Sequence, residues 1–120
     1  MSQQTPIEIA RRWLDAFNRH DLEALLVLYH QDAEHFSPKL KQRMPETNGM
    51  VRGKEALRMW WSDAFQRLPG LTYREKFLTA NNERVFMEYV REVPGEETFA
   101  VAEVLEVKEG LILASRVYHG

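Results

Sequence analysis

The sequence predicts an α+β fold in which three helices cover one face of a curved antiparallel sheet. Two observations predict this class. The first half of the chain repeats apolar residues at helical spacing, whereas period-two alternation begins at Leu71. The turn sequences Asn81-Asn82, Pro94-Gly95 and Glu109-Gly110 then separate four strand-like segments, which is typical of a meander. We expect a single domain over residues 1–120, cone-shaped, with a pocket between sheet and helices.

Two helices are predicted at the start of the chain. Thr5, Pro6 and Glu8 form a capped helix start. The apolar residues that follow at helical spacing are Ile9, Ala10, Trp13 and Phe17. Asp21 can cap a second helix, and the residues predicted for its apolar face are Leu22, Leu25, Leu26 and Tyr29. Only a short corner separates the two helices, so we expect a helical hairpin.

Residues 32–37 predict a short strand that ends before Pro38, and residues 39–52 predict a long loop. Long loops in compact domains often form lids or rims of sites, so we expect this one to border a cavity mouth and to be mobile. Its charged residues are Lys39, Lys41, Arg43 and Arg52 against Glu46. A solvated loop and a cationic rim for an anionic ligand are both compatible with this composition.

A third helix is predicted from Gly53 to the stop at Pro69-Gly70. The residues of its apolar stripe are Ala56, Leu57, Trp60, Ala64, Phe65 and Leu68. Trp60 and Trp61 are adjacent, so only one can face the core. We expect this to be Trp60, with Trp61 at a subunit interface or the cavity mouth. The four strands are predicted at residues 71–79, 84–93, 98–107 and 111–118.

Composition limits the function. The chain has 120 residues, 44% of them hydrophobic and 11% aromatic, with a formal net charge of −2 and no cysteine. This charge gives no reason to expect a nucleic acid or an anionic membrane as partner. No apolar run approaches the roughly 20 residues of a membrane span, and the first residues lack the regions of a signal peptide. We therefore expect a cytoplasmic protein without disulfides or thiolate metal ligands.

Glu103 is the residue most informative about function. It lies in the middle of the larger and more apolar row of its strand, which consists of Phe99, Val101, Glu103, Leu105 and Val107. An unpaired buried carboxylate is costly, so it raises its pKa or finds a partner, and such groups are frequent in functional cavities. A reversed register, or a Glu103 that is paired and structural, would also explain the pattern.

Several segments together carry a family resemblance. They are residues 13–18, Asp21-Leu22-Glu23-Ala24-Leu25, Asp32-Ala33-Glu34, Arg52-Gly53-Lys54-Glu55-Ala56-Leu57 and Glu106-Val107-Lys108-Glu109-Gly110-Leu111-Ile112. In their order and spacing the chain resembles the nuclear transport factor 2-like superfamily, in its SnoaL-like and ketosteroid isomerase-like branch. The resemblance covers essentially the whole chain. It implies a cavity under the concave sheet face and a homodimer formed through the exposed face.

The resemblance also implies site residues. The oxyanion-hole acid of the isomerases falls at Glu103, a position that the isomerases keep neutral in an apolar site. The general base falls at Ser37 and the oxyanion-hole tyrosine at Trp13. A serine alone cannot act as that base, and an indole cannot titrate. These two departures argue against steroid isomerisation by the familial mechanism.

Inward-facing parity and the tight turn at residues 108–110 predict the remaining cavity residues. We expect Ser115 opposite Glu103, with Leu113, Ser115, Val117 and His119 facing inward. The predicted catalytic pair is Glu103 with His35, although His35 could also be a satisfied core histidine. The predicted ligand-binding residues are Trp13, Phe17, Ser37, Trp60, Met87, Tyr89, Phe99, Ser115 and His119. No compact metal-ligand motif occurs, so we expect neither metal nor cofactor.

These observations favour a cofactor-free enzyme that performs proton transfer, of isomerase, cyclase or dehydratase type, on an apolar or aromatic small molecule. A non-catalytic protein that binds a small ligand in the same pocket is the alternative from another class. A third is an assembly domain whose cavity is filled.

Overall fold

A six-stranded sheet curves around the helices in the computed structural model of the protein, which describes residues 4–119. The helices are α1 (Pro6–Asn18), α2 (Leu22–Leu26), α3 (Pro38–Arg43) and α4 (Lys54–Arg67), with a 3₁₀ helix at Pro45–Thr47. The strands are β1 (Tyr29–Phe36), β2 (Met50–Arg52), β3 (Thr72–Ala80), β4 (Arg84–Glu92), β5 (Phe99–Lys108) and β6 (Leu111–His119). Their spatial order is β2-β1-β6-β5-β4-β3, and only β1 and β6 run parallel. The predicted fold class is confirmed.

The helical hairpin begins as the sequence predicts but ends earlier. Thr5 Oγ1 accepts the Glu8 N–H at 3.2 Å, and Asp21 Oδ1 accepts the Ala24 N–H at 3.0 Å. The prediction that Tyr29 belongs to α2 is wrong. Tyr29 begins β1, because the carbonyl of Leu28 already accepts the Ile112 N–H at 2.8 Å and commits the chain to pairing with β6.

Residues 39–52 are not the irregular loop that we predicted. Ser37 Oγ accepts the Lys39 N–H at 3.2 Å, and Pro38 occupies the first turn of α3. Asn48 and Gly49, with φ of 56° and 87°, then turn the chain into β2, which pairs with β1. With six residues, α3 is too short to show helical periodicity in the sequence.

A β-bulge shifts the register between β5 and β6. Val107 pairs with Ile112, but Glu106 pairs with Ala114, so Leu113 is the extra residue. Glu103 therefore lies opposite Val117 and not opposite Ser115 as predicted. Because of the extra residue, Ile112 faces inward and Leu113 outward, the reverse of what strict alternation from Ser115 predicts. Leu113 is 36% exposed and Ile112 is buried, which contradicts the predicted inward position of Leu113.

The core lies between the concave face of the sheet and α1, α2 and α4. Trp61 of α4 is 3% exposed and Trp60 is half-buried, so our choice between the two was wrong. The buried row of α4 runs from Leu57 to Trp61, four residues apart and therefore on one helix face. No helix among residues 4–119 has both the length and the apolarity to cross a membrane.

We expect Gly70→Ala to destabilise the fold by about 1–3 kcal/mol, the usual scale of overpacking. A Cβ at residue 70 would lie 2.7 Å from Cγ and Cδ of Pro94, in the turn between β4 and β5. Urea unfolding of the wild type, Gly70→Ala, Pro94→Ala and the double variant measures the effect as a thermodynamic cycle. If the Pro94→Ala background does not lessen the cost of Gly70→Ala, this contact is not its cause.

Candidate functional site

A cavity of about 270 Å³ lies between the concave sheet face and the helices. This volume lies near the lower limit for small-molecule sites, which is roughly 300 Å³. Much of its wall is aromatic, formed by Trp13, Phe17, Trp60, Trp61, Tyr73 and Tyr89. Phe17, Tyr73 and Tyr89 form a continuous stack, with centroid distances of 4.0 Å and 4.1 Å between neighbours. Such walls suit a flat apolar molecule.

Glu103 is a buried carboxyl group in this wall. Its side chain is 1% exposed, and its Oε1 accepts the hydroxyl of Tyr89 at 2.9 Å. Its Oε2 has no hydrogen-bond partner among residues 4–119. Burial raises the pKa of Glu103 to about 8, against the opposing effect of the Tyr89 hydrogen bond. The group is therefore protonated at pH 7. Because Oε1 is the acceptor for Tyr89, Oε2 is the oxygen free to carry the proton.

The hydroxyl of Tyr89 remains a donor throughout the neutral range. Burial raises its pKa well above the usual value, and the nearby Glu103 carboxyl raises it further. Tyr89 thus orients the carboxyl group of Glu103 without exchanging its own proton. Oε2 of Glu103 is thus left without a partner in the part of the chain that the structure describes.

His35 is held by a chain of hydrogen bonds behind the cavity wall. Trp13 Nε1–H donates to Tyr29 Oη at 3.0 Å, and the Tyr29 hydroxyl donates to Ser115 Oγ at 3.0 Å. Ser115 Oγ lies 2.6 Å from Nδ1 of His35. The Tyr29 hydroxyl donates to Ser115, so we assign the proton of Ser115 to its bond with Nδ1, which places the proton of the neutral imidazole on Nε2.

The imidazole of His35 is neutral at physiological pH. Burial lowers the pKa of His35 to about 4. With Nδ1 accepting from Ser115, the Nε2–H is the group that this side chain can offer to the cavity. The site then presents two neutral donors, the carboxyl O–H of Glu103 and the N–H of His35.

Glu103 and His35, the predicted catalytic pair, are not hydrogen-bonded to each other. The partner of Glu103 is Tyr89 and that of His35 is Ser115. β6 lies between the strands that carry the two residues, so they face the same cavity from separate strands. A bound molecule of suitable length could contact both side chains.

The other predicted site residues fall into two groups. Those that line the cavity are Trp13, Phe17, Ser37, Trp60, Tyr89 and His119. Met87 and Ser115 are fully buried behind the wall, and Phe99 contacts Arg91 and His119 at the rim. At the two positions that depart from the isomerase pattern, the polar groups are engaged within the protein. Ser37 Oγ caps α3, and Trp13 Nε1–H donates to Tyr29.

Tyr73 and Arg91 are among the lining residues that sequence reasoning missed. Arg91 could have been found, because it continues the inward row of Val85, Met87 and Tyr89 at period two. Tyr73 pairs with Arg91 across the β3–β4 ladder, and this register was not predicted. Across residues 4–119, no three His, Asp or Glu side chains form a group that could hold a metal ion.

Comparison with known proteins places these features in a family. Residues 10–115 match the family model described as a SnoaL-like domain. The chain belongs to the SnoaL-like family. No curated protein matches it.

Solved structures of SnoaL-like and related proteins share the fold. A SnoaL-like protein of unknown function from Burkholderia thailandensis superposes with a TM-score of 0.86 at 27% identity, over 96% of this chain and 93% of that one. A protein assigned as a polyketide cyclase from Sinorhizobium meliloti has a TM-score of 0.77 at 17% identity, over 92% and 94% of the two chains. One assigned as a ketosteroid isomerase from Kribbella flavida has 0.76 at 18%, over 94% and 76%. The SnoaL-like fold therefore includes cyclases and isomerases.

The pKa of Glu103 predicts a pH dependence of stability. A carboxyl group whose folded pKa is raised binds more protons in the folded state, so it favours folding at low pH and loses that contribution as pH rises to about 8. His35, whose pKa is lowered to about 4, has the opposite effect, which is complete near pH 6.5. Above pH 6.5, of these two residues only Glu103 still makes the free energy of unfolding depend on pH.

We expect the free energy of unfolding of the wild type to fall by about 2 kcal/mol relative to Glu103→Gln between pH 6.5 and 8. Gln mimics the neutral carboxyl group and does not titrate. Glu106→Gln is the matched control, since Glu106 lies on the same strand with a pKa lowered by Arg116 and is ionised throughout this range. Parallel pH profiles of the wild type and Glu103→Gln in urea unfolding would contradict the raised pKa.

Proposed function

We propose that the protein binds an apolar or aromatic small molecule in this cavity and catalyses a cofactor-free proton transfer on it, of isomerase, cyclase or dehydratase type. The observation that carries the proposal is Oε2 of Glu103. It is a buried polar atom on a side chain that lines the cavity, and it has no hydrogen-bond partner within the described residues. Leaving such a group unsatisfied costs about 1–3 kcal/mol. A ligand oxygen that accepts its proton would remove this cost.

Glu103 acts in this proposal as a general acid. Proton transfer is most effective when the pKa of the catalytic group lies near the working pH, and the pKa of Glu103 is about 8. Its O–H can protonate a leaving oxygen, or it can donate to a carbonyl oxygen on which negative charge develops. His35 Nε2–H supplies a second donor in the same cavity, which orients the ligand and stabilises the developing charge.

A non-catalytic ligand-binding protein is the second candidate, and one observation favours it. The position that the isomerase resemblance assigns to the general base is Ser37, whose oxygen accepts the N–H of Lys39 at 3.2 Å. His35 has its Nδ1 engaged by Ser115, so it is not a free base either. The protein thus supports proton donation more strongly than proton abstraction.

We expect Glu103→Gln to keep the fold and ligand affinity but to lose about 10²–10⁴-fold in turnover. Gln retains the acceptor for Tyr89 and a donor for the ligand but cannot ionise. Ligands are found by thermal-shift screening of hydrophobic carbonyl and aromatic compounds, and mass spectrometry then follows their conversion. Glu106→Gln, on the opposite face of β5, is the control.

Conversion at equal rates in the wild type and Glu103→Gln would remove Glu103 from the mechanism. Ligands that bind without being converted by either protein would favour the second candidate. Absence of any ligand would contradict both.

We further propose that the partner in solution is a second copy of the chain, docked on the convex sheet face. This face exposes Phe77, Phe86 and Tyr118, whose exposed fractions are 61%, 39% and 51%. Isolated apolar residues are normal on surfaces, but several on one sheet face indicate an interaction site.

We expect light scattering at micromolar concentration to give the dimer mass for the wild type and the monomer mass for Phe77→Lys. A lysine buried in an apolar interface leaves a charge without a partner. Met59→Lys is the control, because Met59 is 73% exposed on α4, away from the sheet. A monomeric wild type would refute the proposal.

A further inference from the structure

The rim of the cavity is positively charged, although the chain as a whole has a formal net charge of −2. Its lining includes four cationic side chains: Lys39, Arg43, Arg67 and Arg91. Only two acidic side chains line it, Glu96 and Glu103. Since Glu103 lies in the interior as a neutral carboxyl group, Glu96 is the one negative charge in the lining. This local excess of positive charge requires an explanation.

Two of the four cations are paired outside the cavity. Arg43 and Arg67 share the single carboxylate of Asp63, at 3.6 Å and 2.8 Å, so these three side chains together retain one positive charge. Lys39 forms no ion pair within residues 4–119. Of the residues 39–52, for which the sequence left a cationic rim open, Lys39 and Arg43 reach the cavity, whereas Lys41 and Arg52 do not.

Arg91 is a buried cation with unused donors. It is 9% exposed, and its Nη1 donates to Glu96 Oε1 at 2.9 Å. A guanidinium group carries five N–H donors in a rigid plane, so one bond to Glu96 leaves others for an anion in the cavity. Glu96 is much more exposed than Arg91 and can move aside.

Lys39 and Arg91 meet at one aromatic ring. Nζ of Lys39 lies 6.0 Å from the centroid of Phe99, and Cζ of Arg91 lies 5.3 Å from it. His119 packs against the same ring with a centroid distance of 5.5 Å. Burial lowers the pKa of His119, and the charges of Lys39 and Arg91 lower it further. The ring therefore gathers two cations and a neutral histidine around the rim.

The distance from this cluster to Glu103 sets the length of a ligand that would contact both. Phe99 pairs with Arg91, and Glu103 lies four residues further along β5. At about 3.3 Å per residue, the level of the Arg91–Phe99 pair and the level of Glu103 are about 13 Å apart along β5. Tyr89, part of the aromatic wall, lies between these two levels, since it pairs with Val101.

We propose that the ligand is an elongated small carboxylic acid, with its carboxylate at Lys39 and Arg91, an apolar ring system along the aromatic wall, and an oxygen acceptor at Glu103. Lys39 and Arg91 together with Glu96 carry one positive charge, which matches a monoanion. The inference rests on the proposed function in using the same cavity, but it requires only binding and not turnover.

Isothermal titration calorimetry tests the inference with 6-acetyl-2-naphthoate and its neutral amide, 6-acetyl-2-naphthamide, at pH 7. The two probes share shape and differ in charge. We expect the acid to bind the wild type about tenfold more tightly than the amide, the scale of one charge-assisted hydrogen bond. Lys39→Gln should remove most of this preference and leave the amide unaffected. Glu96→Gln should increase it, because Arg91 loses its competing carboxylate.

Lys41→Gln is the matched control, since Lys41 is on the same helix but outside the cavity lining. It should leave both affinities unchanged. Equal binding of acid and amide, or a preference that survives Lys39→Gln, would overturn the inference and leave the proposed function standing. If neither probe binds while neutral compounds from the thermal-shift screen do, the inference alone is refuted. If no compound binds, both the inference and the proposed function are refuted.

Discussion

The parallel pairing of β1 with β6 is the contact on which the rest of the structure depends. It aligns His35 with Ser115, residues separated by 80 positions in the chain, and it is strengthened by the bond from Ile112 N–H to the carbonyl of Leu28. Parallel strands cannot be joined by a tight turn, so everything between them acts as a long crossover. That crossover places α4 against the concave face and closes the cavity that the meander alone would leave open.

The sequence allowed the local parts of this structure to be predicted, and the long-range parts only by resemblance. Period-two alternation is a property of each strand by itself, so the meander and the inward position of Glu103 followed from the residues. The bulge at Leu113 was not predictable, because it depends on how two strands settle against each other and exchanges inside and outside within one residue. Tyr29 was misassigned for the same reason: its spacing fits the α2 stripe, and only pairing with β6 makes it a strand residue.

In the candidate site, too, local features could be predicted from the sequence and long-range contacts could not. The residue types in the cavity were largely anticipated, but their partners were not. Glu103 and His35 were predicted as a catalytic pair, but their hydrogen-bond partners, Tyr89 and Ser115, were not predicted. Partnership depends on side-chain direction and on distances of a few ångströms across strands, which a period of two does not encode. The interior of the cavity is neutral and offers hydrogen-bond donors, whereas its rim is cationic. A ligand would therefore pass the charged rim on entry and be held inside by neutral hydrogen-bond donors.

The chain of hydrogen bonds behind His35 links its tautomer to a residue on α1. Trp13 has no lone pair with which to accept, so the Tyr29 hydroxyl directs its proton to Ser115. With that bond accepted, the hydroxyl proton of Ser115 is assigned to Nδ1, and Nε2 keeps the proton of the ring. A residue at position 13 with a lone pair would offer Tyr29 a second acceptor and would free Ser115 to donate to Tyr29 and to accept from Nδ1. Whether His35 presents an N–H or a lone pair to the cavity thus depends in part on a side chain three hydrogen bonds away, with His35, Glu103 and the sheet unchanged.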